Sequence, residues 1–142
     1  MATPLFDASL LPSSLLSTLP TGLTLRPLSS EDYTKSHLSL LSHLTSSPDI
    51  GESAWSTRFQ ELLSINQIHQ TYLCIVIEEE SSNELVGSAT LVVERKFLRG
   101  GGMVGHVEDV VVHPRMQGKK LGVSLLKVLT QLGEDLGCYK VR

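Results

Sequence analysis

Glu108 sits inside a run of branched apolar residues, Gly105-His106-Val107-Glu108-Asp109-Val110-Val111-Val112. An ionised carboxylate in such a setting costs several kcal/mol unless it is paired or reaches water through a cleft. A carboxylate that faces a cleft can take a proton from an ammonium group, directly or through water, and such a base is worth roughly 10²–10⁴-fold in rate. The plainer alternative is a half-exposed strand whose acids, Glu108 and Asp109, simply face water. Regular alternation predicts Val107, Asp109 and Val111 on one face and His106, Glu108, Val110 and Val112 on the other. A splayed or bulged strand would leave the Val110 N–H free, and a preorganised donor aimed at a developing oxyanion is worth about 2.7–4 kcal/mol.

Further along, Pro114 cannot join a ladder and biases His113 towards extended geometry, so the strand should stop there. From Gln117 the period becomes helical, with Leu121, Leu125, Val128, Leu129, Leu132 and Leu136 forming one buried stripe. A strand that enters a helix through Gly118 and Gly122 leaves several N–H groups converging near the positive end of the helix dipole. That arrangement is a phosphate or pyrophosphate cradle. The spacing fits neither the Walker nor the dinucleotide pattern, and a strand-turn-helix with incidental glycines is the competing reading. Lys119 and Lys120 can add charge to the cradle or be solvated lysines at a helix terminus. Lys96, Arg99 and Lys140 are of the type that binds phosphate, although basic residues at strand ends are often merely exposed. His106 either orients the site or is a satisfied strand histidine. His37, His43, His69 and His113 stand at no telling spacing. No Cys or Ser has a nucleophile's setting, and no Cys/His set has zinc spacing, so no metal is implied.

The elements that must position these residues can be read in order. With 142 residues and a formal charge of −3, the chain reads as one domain with no electrostatic footprint for nucleic acid or membrane. Residues 1–21 form a leader, expected to pack as a short helix through Leu10-Leu11 and Leu15-Leu16, and lacking the basic start of a secretory signal. Residues 22–28 form a first strand ended by Pro27. A helix starts at Ser30-Glu31-Asp32 with Leu38, Leu41 and Leu44 on one face. A second helix spans about 53–68, with Trp55, Phe59, Leu62, Leu63 and Ile65 as its buried side. Residues 72–77 form a central strand apolar on both faces. Residues 85–94 form the next, with Gly87 a bulge or close approach. Arg99-Gly100-Gly101-Gly102 is a flexible link. Cys74 and Cys138 are reduced core thiols, as in a cytosolic protein.

Gln117-Gly118-Lys119-Lys120-Leu121-Gly122 resembles the acetyl-CoA loop of the GNAT superfamily of N-acetyltransferases, Gln/Arg-x-x-Gly-x-Gly/Ala, with Lys120 at the first Gly of that pattern. Glu94-Arg95-Lys96, Gly105 to Val110 and Cys138-Tyr139-Lys140 narrow the resemblance to the family that acetylates glucosamine 6-phosphate. It runs from about Gly22 to the end. It implies an α/β GNAT acyl-CoA N-acyltransferase fold, a mixed, mostly antiparallel sheet flanked by helices, over residues 22–142. It also implies that this domain is truncated: the family would continue beyond the fifth strand begun at Cys138, through a helix, a last strand and a tyrosine near the departing sulfur. The implied roles are Glu108, Asp109 and Val110 in catalysis, Asp109 through its backbone. Acetyl-CoA would lie on Val110, Val111, Val112 and the loop Gln117, Gly118, Lys119, Lys120, Leu121, Gly122 and Val123. The amino sugar would lie on Thr45, Lys96, Phe97, Leu98, Arg99, Glu108, Asp109, Val110, Tyr139 and Lys140. The resemblance further implies a homodimer where the full-length chain exists, while the two reduced thiols and the lack of an apolar run long enough to span a bilayer point to a cytoplasmic protein without a membrane span. An acetyltransferase for another amine, or an acyl-CoA-binding remnant without turnover, are the competing readings.

Overall fold

The computed structural model describes residues 1–142. Its five strands form one sheet in the order in which they occur along the chain. They are β1 (Leu23–Pro27), β2 (Tyr72–Glu79), β3 (Glu84–Arg95), β4 (Met103–Val112) and β5 (Cys138–Val141). The first three pairings are antiparallel and β4 pairs with β5 in parallel. The helices are α1 (Ser13–Leu16), α2 (His37–Leu41), α3 (Glu52–Ile68), the single turn α4 (Leu98–Gly101) and α5 (Leu121–Asp135). No helix is long and apolar enough to cross a membrane.

β2, paired with β1 on one side and β3 on the other, is an interior strand. Leu73, Cys74, Ile75, Val76 and Ile77 are all buried, as a strand covered on both faces requires. On one face α5 lays down the expected stripe, with Leu121, Leu125, Val128, Leu129 and Leu132 almost fully buried. On the other face lie α2 and α3. Leu5, Phe6 and Leu11 of the leader join the same core cluster, so residues 1–21 are part of the packing as well as carrying α1. Gly87 is the predicted close approach: a Cβ there would stand 3.2 Å from Ile77 Cδ1. Both cysteines are free and buried.

Three expectations change. The helix predicted from residue 30 is broken. A tight turn over Asp32–Lys35 gives way at Ser36, whose φ of +67° is left-handed, before α2 begins. Within α2 it is Leu40 that is buried, and α2 ends at Leu41, which leaves Leu44 exposed beyond it. In α3, Ile65 is exposed and Asn66 is buried, where its amide bridges Leu5 O, Tyr72 O and the N–H groups of Thr71 and Tyr72. The glycine link is a hydrogen-bonded turn: Gly101 N–H reaches Phe97 O and Gly102 N–H reaches Leu98 O.

The break at Ser36 buries His37. The Trp55 indole N–H donates to His37 Nδ1 at 3.0 Å, so the neutral ring carries its proton on Nε2, which meets no acceptor. Burial pushes His37 down to about 4, from an ordinary value of 6.5, against the opposing charge of Asp32. Between those values the unfolded chain binds a proton that the folded chain refuses. Stability is therefore full above pH 6.5 and is lost as pH falls towards 4, by up to ~3 kcal/mol. Urea unfolding of His37→Gln should show this slope flattened between pH 6.5 and 4.5. An unchanged slope would mean that His37 does not carry it.

Candidate active site

Asp109 has a φ of +53°, a left-handed conformation that Asp tolerates better than most residues. It marks a bulge. Ser88 faces Val111 and Thr90 faces Glu108, so Ala89 alone opposes both Asp109 and Val110. The extra residue shifts the alternation by one and corrects the predicted faces. His106 and Glu108 share their face with Val111, looking towards α2 and α3. Val107 and Val112 look towards α5. A single β-bulge is invisible to a period-two reading, because that reading assumes an unbroken pleat.

The backbone is reorganised by the same feature. His113 N–H donates to Val86 O at 2.8 Å, and Val111 pairs with Ser88. Antiparallel alternation then turns the Val110 and Val112 N–H groups away from β3. On that outer side, β5 pairs with Met103 to Gly105, and the Val107 N–H reaches Arg142 O at 2.7 Å. On that outer side no neighbouring strand reaches Val110 or Val112, so their N–H groups, turned away from β3, face an open strand edge.

Glu108 is exposed and makes no hydrogen bond or ion pair, yet it does not face open bulk water. With Asp109 it lines a groove of about 620 Å³ between β2–β4 and the two helices, floored by Cys74, Ser88 and Thr90 and walled by Leu41, Leu62 and Ile65. Next to Glu108 on the same sheet face, His106 Nε2 lies 2.8 Å from Glu94 Oε1, and Lys96 Nζ lies 3.2 Å from that oxygen. These two partners hold the Glu94 carboxyl below the usual carboxylate range.

At the other end of the strand, the short turn Pro114–Met116 leads to the predicted cradle. Gly118 has a φ of +85° and Lys120 one of +58°, a left-handed entry that starts α5 at Leu121, four residues later than the periodicity suggests. The N–H groups of Gly118 to Val123 find no acceptor within the protein; the next, Ser124, donates to Lys120 O at 3.1 Å. Six consecutive donors at the start of a fifteen-residue helix suit a pyrophosphate. A Cβ on Gly118 meets nothing within 4 Å, and one on Gly122 meets only Val112 Cγ2 at 4.0 Å. The glycines therefore leave open space over the donors. Nearby, Arg115 forms a forked pair with Glu79 at 3.0 and 2.9 Å, and Lys119 and Lys120 form no ion pair.

The remaining predicted residues gather elsewhere. Phe97, Leu98 and Arg99 sit at the exposed turn between β3 and β4, where the Arg99 guanidinium lies 5.1 Å from the Tyr139 ring centroid. Lys140 is exposed on β5. Thr45 is exposed just beyond α2, with its N–H on Leu41 O. None of these lines the Glu108 groove. Two histidines that spacing left apart meet in space: the His43 and His113 rings stand 4.7 Å apart. Spacing also gave no hint of Arg58 and Glu61, which face Glu108 and Asp109 across the groove. They lie on the polar side of α3, and no local pattern marks them. Thr90 could have been found from register, since it is the residue opposite Glu108.

A sheet with an acid-lined groove at a bulge, an open strand edge beside it, and a glycine-opened helix start beyond has the form of the acyl-CoA N-acyltransferase fold. Residues 34–142 match the acetyltransferase (GNAT) family, and the chain belongs to it. The chain is 37% identical over 134 residues to the probable glucosamine 6-phosphate N-acetyltransferase 2 of Oryza sativa subsp. japonica, covering 92% of this chain and 79% of that one. It is 38% identical over 117 residues to the Arabidopsis thaliana glucosamine 6-phosphate N-acetyltransferase, covering 82% and 76%. The crystal structure of glucosamine-6-phosphate N-acetyltransferase from Arabidopsis thaliana superposes with a TM-score of 0.79 at 35% identity, over 84% of this chain and 80% of that one.

Proposed function

We propose that this protein moves acetyl from acetyl-CoA to the 2-amino group of D-glucosamine 6-phosphate, giving N-acetyl-D-glucosamine 6-phosphate and coenzyme A for UDP-N-acetylglucosamine synthesis. The observation that carries this reading is the bulge at Asp109, which combines an unpaired acid in a groove with free amides on the strand's outer edge. The similarity to acetyltransferases named for this amino sugar supports the choice of substrate.

In this reading the pantetheine arm lies against Val110, Val111 and Val112, and the pyrophosphate on the amides of Gly118–Val123. Glu108 accepts a proton from the ammonium, and the neutral amine attacks the thioester carbonyl. The Val110 N–H donates to the oxyanion as it forms. The carbon–sulfur bond then breaks, and the proton that the attacking nitrogen gives up on becoming an amide balances the departing thiolate, which leaves as the coenzyme A thiol. Lys96, Arg99 and Lys140 face the sugar phosphate, with Thr45, Phe97, Leu98 and Tyr139 completing the substrate contacts. A homodimer belongs to the same reading. The exposed Phe97 and Leu98 support it, and light scattering of the purified chain should return twice the monomer mass. A cytoplasmic location is the compartment that fits its two free thiols.

Acetyl transfer to glucosamine 6-phosphate should far exceed transfer to glucosamine at equal concentration. Equal rates would overturn the choice of a phosphorylated substrate.

A further inference from the structure

The loop that opens the start of α5 is held at few points. Gln117, Gly118, Lys119 and Lys120 are all exposed, and Gly118 and Lys120 hold left-handed backbone. The nearest hydrogen bonds stay within the turn before it: Met116 N–H donates to His113 O, Gln117 N–H to Pro114 O and Arg115 N–H to His113 Nδ1. Beyond His113, two side chains tie that turn to the rest of the molecule. Met116 is buried in the core. Arg115 reaches across to Glu79, donating from Nη1 to Oε2 at 3.0 Å and from Nη2 to Oε1 at 2.9 Å.

Glu79 is a firm anchor. It ends β2, opposite Leu23 of β1 and Glu84 of β3, and the Ser82 hydroxyl donates to its Oε1 at 2.7 Å. The bonds from Arg115 and then Ser82 hold its carboxyl down at about 2, so it stays ionised throughout the neutral range. We propose that Arg115 is a positioning residue for the coenzyme. Its fork on Glu79 fixes the turn Pro114–Met116, and through that turn the amides of Gly118–Val123 that take the pyrophosphate. This assignment rests on the acetyl-CoA reading under Proposed function. A loop already held in its bound shape gives up less freedom when the ligand arrives, which is how preorganisation raises affinity. The planar guanidinium suits the task because two parallel bonds fix direction as well as distance, which a lysine ammonium does not. With both Nη groups engaged on Glu79, the guanidinium orients the loop and does not itself meet the phosphates.

Glu79→Gln tests this, because it weakens the fork without altering the loop. Calorimetry should show acetyl-CoA binding weakened roughly fivefold, the scale of one partly exposed pair. The KM for acetyl-CoA should rise to match, with kcat and the KM for glucosamine 6-phosphate little changed. Arg115→Lys, which keeps the charge and loses the fork, should fall between the wild type and Arg115→Gln. Without coenzyme, trypsin should cut after Lys119 and Lys120 faster in Glu79→Gln than in the wild type, while its other cuts keep their rates. Unchanged affinity overturns the assignment. Tighter binding in Glu79→Gln also overturns it, since a freed Arg115 would then be meeting the phosphates directly. Equal weakening of both substrates, with faster cutting along the whole chain, would mark a general loss of fold and overturn it too. A wild-type chain that binds no acetyl-CoA would remove the coenzyme reading and this assignment with it. One that binds acetyl-CoA yet leaves glucosamine 6-phosphate unacetylated would remove the choice of amino sugar alone, and the fivefold loss in Glu79→Gln would still support the assignment.

Discussion

Replacing Glu108 with glutamine should lower kcat for glucosamine 6-phosphate by roughly 10²- to 10⁴-fold, with the melting temperature unchanged. Glu108 is exposed and makes no hydrogen bond or ion pair, so glutamine removes no contact and buries nothing new. What it removes is the acceptor for the ammonium proton. Without that acceptor, only the fraction of substrate already neutral in solution can attack, so the loss should shrink as pH rises through the amine's titration. Stopped assays across pH, with excess acetyl-CoA, would check both features. A loss smaller than about tenfold, or one that does not shrink with rising pH, would assign the proton to another group.

The second large effect is expected at Gly122. Gly122→Val should weaken acetyl-CoA binding by roughly 10²-fold, about 2.7 kcal/mol, because the side chain stands between the pyrophosphate and the amides at the start of α5. Each charge-assisted bond to such an anion is worth roughly 1.5–3 kcal/mol, so losing two suffices. Gly122 is the better test position because it has ordinary helical backbone and open space where the side chain would go. Gly118 has a φ of +85°, so any side chain there would strain the backbone and confuse binding with folding. Titration calorimetry on the folded variant decides the matter. Unchanged affinity would mean that those six amides are not the cradle.

Much of the architecture was legible because it rests on strong local signals. The doubly apolar run at Leu73–Ile77 could only be a covered strand, and the leucine stripe of α5 could only be one helix face. Other features were hidden for identifiable reasons. Ser36 adopts a left-handed conformation without being glycine, so nothing in its residue type announced the break that buries His37. The groove's second wall comes from α3, some fifty residues before Glu108, and only packing brings Arg58 and Glu61 to it. In contrast, the open amides at the start of α5 were legible from Gly118 and Gly122, because the requirement for N–H groups without a Cβ above them is itself local.

The spare residue at Asp109 has a consequence for how this enzyme can vary. In an uninterrupted strand, amides two apart point the same way, so with Glu108 paired inward to Thr90, Val110 would be paired inward too. Only the dislocation lets neighbouring positions supply an acid to one ligand and a donor to another. Point changes here adjust strength, and Asn or Gly at position 109 can keep the left-handed geometry. Deleting one residue would instead zip the ladder shut, hide the donor against β3 and reverse every side chain on one side of the gap. The number of residues between Glu108 and Val112 is therefore a tighter constraint than their identity.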